Sequence, residues 1–257
     1  MNAKRDWKHL LAIVGVALLL RAAAVVWFET GNAPETLPDE NDYLHIARTL
    51  TTSKPPVYQS PKWQRLLDAA AKDQNEQRIA LRMGDQSMFV EDLPGAHRFM
   101  QRMPLYPLVV SAVLRVGGNA HLVRNVRILQ ILIGSASVLM VYLLASHVFD
   151  GRSRLWAGWL AALYPPWIYF TGLILTETLF VLLLLVAWYL AARIAQQPTA
   201  TDAITCGLFA AAAVLTRGSA LGLFIVLIPL LVIVARDHLH ALAAAAGVLL
   251  ILSLIHI

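Results

Sequence analysis

The chain has 257 residues, 58% of them apolar and only 14% charged, with a mean hydropathy of +0.61. Soluble domains sit nearer half apolar and a quarter charged, so this composition excludes an ordinary soluble globule. The net charge of +5 comes from Lys and Arg scattered at the ends of apolar runs, which excludes a nucleic-acid surface and suits charges that orient membrane helices.

About 20 apolar residues, at 1.5 Å of rise each, cross the hydrocarbon core of a bilayer. In chain order the first such run is 10–28, interrupted by Arg21. Lys4, Arg5 and Lys8 precede it, and the apolar stretch continues past Ala22-Ala23-Ala24, so it reads as an uncleaved signal anchor. Arg21 reads as a side chain that snorkels outward or pairs with an acid. Residues 29–120 are too polar to span. Within them, Pro38-Asp39-Glu40 opens a short helix with Tyr43, Ala47 and Leu50 on one face, 51–62 is a loop, and 63–81 is a charged amphipathic helix. The stretch 103–116 is apolar but short and holds two prolines, which predicts an interfacial or re-entrant helix.

Further spans are predicted over 122–149, 155–174, 179–195, 203–215 and 220–235, and a last run begins at Leu239. The expected fold is an all-α integral membrane bundle of six to seven spans with a long first outer loop. Its parts are residues 1–28 (cytoplasmic N-terminus and first span), 29–120 (outer loop), 121–251 (later spans) and 252–257. The single cysteine, Cys206, lies in an apolar run and says nothing of redox compartment.

The positive-inside rule sets the sides. Lys4, Arg5 and Lys8, then Arg152 and Arg154, Arg193 and Arg236 fall in the cytoplasm. The 29–120 loop and the tips at Thr176-Glu177 and Thr216-Arg217 fall outside. Asp39, Glu40, Arg102, Glu177 and Arg217 are thereby expected at one membrane face.

Acids and guanidinium groups facing one region suit sugar transfer from a lipid phosphate. A carboxylate takes the proton of an attacking hydroxyl, and a planar guanidinium fits the departing phosphate. Each residue also has a plainer reading. Asp39 fits a helix N-cap, Glu177 a helix N-terminus, and Arg102 and Arg217 fit interfacial anchors. Tyr106, Tyr164 and Tyr169 read as an interfacial aromatic belt, and His45, His97 and His121 have no metal-ligand spacing.

Several segments, in order, resemble the GT-C superfamily of membrane glycosyltransferases, near the bacterial protein O-mannosyltransferases and lipid A aminoarabinose transferases. They are Asp39-Glu40-Asn41-Asp42-Tyr43; Arg102-Met103-Pro104-Leu105-Tyr106-Pro107; Arg127 with Gln130; Tyr164-Pro165 with Leu175-Thr176-Glu177; and Leu215-Thr216-Arg217-Gly218. The resemblance implies Asp39 as catalytic base with Glu40 beside it as a second candidate. It makes Glu177 a second acidic position for acceptor or metal, and Arg102, Arg217 and Tyr43 substrate-binding residues. It also implies an inverting enzyme of the bacterial inner membrane that takes a polyprenyl-phosphate sugar. The acceptor would be a glycan, lipid A or a protein, without nucleic acid. The resemblance fixes no cofactor: a divalent cation is used by some relatives and disputed in others, and Asp39 and Glu177 would be its ligands. The stretch between Tyr58 and Gln101 is longer and more charged than the family's pattern.

Other classes compatible with the composition are a transporter or flippase and a non-catalytic subunit of envelope glycan assembly. A transporter sets polar groups near the bilayer midplane, whereas here only Arg21 interrupts the spans. The terminal Leu252-Ser253-Leu254-Ile255-His256-Ile257 reads as a translation of the transposase end sequence CTG TCT CTT ATA CAC ATC. That predicts a reading frame running from a gene into adapter, and an inactive fragment.

Overall fold

In hydrocarbon a backbone has no water to satisfy its N–H and C=O groups, so apolar runs become helices. The structure, a computed structural model, describes residues 3–32, 37–51, 102–149, 152–197 and 199–222. The helix predicted over 63–81, most of the span predicted over 220–235, and everything after it lie outside these residues.

Helix α1 covers Ala3–Trp27 and runs into a π-helical turn, Phe28–Asn32, where Gly31 takes a φ of 95°. Helix α2 is Pro38–Thr51 and α3 is Leu105–Gly117. A 3-10 turn, Asn119–His121, leads into α4, Leu122–Val148. Then come α5, Ser153–Leu163, and α6, Pro165–Gly172. Helices α7, Glu177–Gln196, and α8, Ala200–Thr216, close the described chain. No strand occurs among the described residues, and the fold is an all-α membrane bundle. Three stretches, Trp7–Gly31, Asn119–Val148 and Glu177–Gln196, are long and apolar enough to cross a membrane.

The run 155–174, expected as one span, is two helices. Pro165 has no N–H to continue the ladder. The residue before a proline is pushed to extended geometry, and Tyr164 sits at φ −69°, ψ 110°. The prolines then open α6 at its first positions, where their fixed φ is already helical. Both α5 and α6 pack against α1 and α4, so the chain bends and continues along the same pair of helices. It ends at Gly172, where an added methyl would overlap the Phe28 ring.

Helix α3, of 13 residues, rises about 20 Å, short of the roughly 30 Å hydrocarbon core. It packs on α2 and α4, with Tyr43, Leu44 and Ala47 of α2 against Tyr106, Val110 and Leu114. Helix α8 has 17 residues and exceeds the expected 203–215 run at both ends. Thr199 caps it by accepting from the Asp202 N–H at 3.1 Å. Its buried face is Ala203, Cys206, Gly207, Ala210, Ala211 and Val214. Small residues let backbones approach, which is how helices associate when lipid tails are as apolar as their side chains. Leu11, Leu19, Leu132, Trp156 and Leu160 are exposed, as suits a surface solvated by lipid.

Contacts between helix ends sort those ends into two groups. At one end His147 and Gln196 are hydrogen-bonded at 3.1 Å, and Arg193 faces Asp202 at 3.2 Å. The other end holds the N-terminus of α2 and the joints before α3, before α7 and after α8.

Candidate active site

The first turn of α2 holds Asp39 and Glu40, neighbours with different fates. Asp39 accepts from Arg102 Nη2 at 2.6 Å through Oδ1, and its side chain is 50% exposed. The same nitrogen donates to Asp42 Oδ2 at 2.8 Å. Asp39 therefore does not cap α2. It lies inside the first turn, and its Oδ2 carries no hydrogen bond among the described residues. Burial opposes the charge on Arg102, but the hydrogen bonds to Asp42 and Asp39 outweigh it and hold the guanidinium's pKa above its ordinary value. Arg102 also lies 5.7 Å from the Tyr43 ring centroid. It is thus fixed by protein partners and does not snorkel.

Glu40 is 6% exposed. Its Oε1 accepts the backbone N–H of Ile174 at 2.6 Å across 134 residues of sequence. That N–H belongs to the extended segment between α6 and α7, so Glu40 satisfies a donor that no helix provides for. The segment is held from the other side by Gln130 of α4. Gln130 Nε2 donates to Leu173 O at 2.8 Å, Leu175 O at 3.4 Å and the Tyr106 hydroxyl at 3.2 Å. Arg127 Nε donates to Gly172 O at 2.9 Å.

Glu177 opens α7 and accepts from Arg217 Nη1 at 2.9 Å. Its side chain is 28% exposed. Tyr43 joins the two halves: its phenol is hydrogen-bonded to the Thr176 side chain and feels the charges of Arg102, Asp39 and Glu177. Desolvation, then the acids, outweigh Arg102 and raise the Tyr43 pKa. Tyr106, buried with its ring 5.0 Å from that of Tyr43, is pushed well up by burial, with Tyr43, Glu40 and Glu177 adding to it. Both phenols stay neutral donors at ordinary pH. Tyr106 does not belong to an aromatic belt, whereas Tyr164 and Tyr169 are exposed.

The structure thus gathers Asp39, Glu40, Tyr43, Arg102, Glu177 and Arg217 at one end of the bundle. Sequence reasoning underused Gln130. A lone amide inside an apolar helix is itself a signal, because it needs partners there. The acids do not fit a divalent cation. Asp39 and Glu177 each face a guanidinium, and among the described residues no three His, Cys, Asp or Glu converge. A hard cation would instead want oxygen ligands without competing cations.

Helices long enough to span, with charged groups converging where they end, define a multi-pass membrane protein. Its family is shown by sequence: residues 101–257 match the dolichyl-phosphate-mannose-protein mannosyltransferase family, and the chain belongs to it. It is accordingly a membrane glycosyltransferase of the GT-C type. No curated protein and no solved structure matches the chain. Asp39 and Glu40 precede the matched stretch, yet each is bonded into it, through Arg102 and Ile174.

Proposed function

We propose that this glycosyltransferase moves a sugar from a polyprenyl-phosphate donor to a hydroxyl on the non-cytoplasmic face of a bacterial inner membrane, inverting the anomeric centre. The acceptor would be a glycan, lipid A or a protein. Asp39 is the base. The acceptor oxygen attacks the anomeric carbon as its proton passes to Asp39 Oδ2, and the bond to the donor phosphate breaks with its electron pair on oxygen. The observation that carries this reading is the contrast between the two adjacent acids. Asp39 is half-exposed with one oxygen unengaged, while Glu40 is buried and bonded to backbone.

Glu40 then serves position, and Glu177 and Tyr43 line the acceptor side. Arg102 and Arg217 hold the carboxylates in place and supply positive potential to the leaving group. Membership of a mannosyltransferase family favours this enzyme over a transporter or a non-catalytic subunit.

In the full-length protein, Asp39→Asn is expected to lower kcat for labelled-sugar transfer by about 10²–10⁴-fold, the usual worth of a positioned base. Glu177→Gln is expected to raise acceptor KM. Transfer at the wild-type rate by both variants would overturn these roles.

A further inference from the structure

Arg21, near the outer end of α1, is neither snorkelling nor ion-paired among the described residues. It is 0% exposed. Its Nη1 donates to Ala17 O, one turn back, at 3.2 Å, while Nε and Nη2 have no partner. These two nitrogens form one edge of the guanidinium, the fork that grips two oxygens of a phosphate or carboxylate at once. A buried cation with an empty fork is strongly unfavourable unless something fills it.

The surroundings are shaped for such a group. Arg21 lines a cavity of about 230 Å³ together with Ser137, Tyr164, Trp167, Phe170 and Glu177. Room for the guanidinium comes from Gly134, where a Cβ would stand 2.8 Å from Arg21 Nε. Glu177 does not repel an anion at full strength, because Arg217 offsets its charge at 2.9 Å. The remaining walls are mostly aromatic and aliphatic, which suits an anion carrying a hydrophobic body. Water does not reach the fork. Within the described residues a single hydrogen bond, from Nη1 to Ala17 O, restrains the side chain.

We infer that this cavity receives the phosphate of a lipid-linked ligand, with the Nε–Nη2 edge of Arg21 as its bidentate clamp. Resting on the proposed function, the ligand is the sugar donor. Arg102 and Arg217, each already bonded to a carboxylate, act on its phosphate only through their field, and Arg21 makes the direct contact. Arg21 is six residues before Trp27 on α1, about 9 Å along the axis.

The test uses full-length protein in lipid nanodiscs, with polyprenyl phosphate, polyprenol and inorganic phosphate as probes. Wild type is expected to bind polyprenyl phosphate and ignore polyprenol. Arg21→Met should weaken that binding at least tenfold, in keeping with charge-assisted hydrogen bonds, and Arg21→Lys should keep part of it. Gly134→Ala, which leaves the charge in place but crowds the fork, should weaken binding too and covers the case in which Arg21→Met does not fold. Unchanged binding in folded Arg21→Met, or in Gly134→Ala if Arg21→Met is unfolded, would sink the inference. Inorganic phosphate competing as well as the lipid would overturn a lipid headgroup as the source. Transfer activity separates this proposal from the one it rests on. Arg21-dependent binding without any sugar transfer removes the function and leaves the site. Transfer with donor KM unmoved by Arg21→Met removes the site and leaves the function.

Discussion

Two carboxylates one residue apart, Asp39 and Glu40, show how position within a turn divides labour. Successive helix residues point about 100° apart, so one faces the mouth of the site and the other the extended segment between α6 and α7. Their substitutions should therefore differ in kind. Glu40→Gln keeps an acceptor oxygen for the Ile174 N–H and is expected to retain folding and most transfer. Glu40→Ala strands that buried donor and should lower stability by about 1–3 kcal/mol, the usual penalty for an unsatisfied group. Unfolding in detergent and a transfer assay on the same samples check both. Loss of transfer in Glu40→Gln at full stability would return Glu40 to the chemistry.

Among elements, the joint between α1 and α6 is where shape is most tightly specified. Phe28 is 2% exposed and packs over Gly172, whose missing side chain is the space it occupies. Gly172→Ala should cost about 1–3 kcal/mol through overpacking. The loss should shrink when Phe28→Leu is made first, since residues in contact are coupled; thermal unfolding of the four-variant cycle measures it. The three long spans were legible because hydropathy over 20 residues is a strong signal. The gathering of Arg102, Glu177 and Arg217 was legible because helix ends alternate sides. The bend at Tyr164 was written in Tyr164-Pro165-Pro166, yet composition alone merged α5 and α6 into one run. What could not be read was pairing. Nothing in sequence tells that Glu40 reaches Ile174, that Arg102 takes Asp39, or that Arg21 meets no acid among the described residues, because these depend on how helices rotate against each other.

At the scale of the whole molecule, the two groups of helix ends make a prediction about sides. Glu29 and Ser219 are exposed near the end that holds Asp39 and Glu177, while Ser153 and Gln197 are exposed at the other. Single cysteines at the first pair, in a chain with Cys206→Ala, should react with a membrane-impermeant maleimide from outside intact cells. Cysteines at the second pair should react only after permeabilisation. The reverse pattern would turn the active face to the cytoplasm. The far end, with its His147–Gln196 and Arg193–Asp202 pairs, carries none of the groups assigned to chemistry. A purification tag or antibody epitope spliced into the α4–α5 or α7–α8 connection is therefore expected to leave turnover untouched.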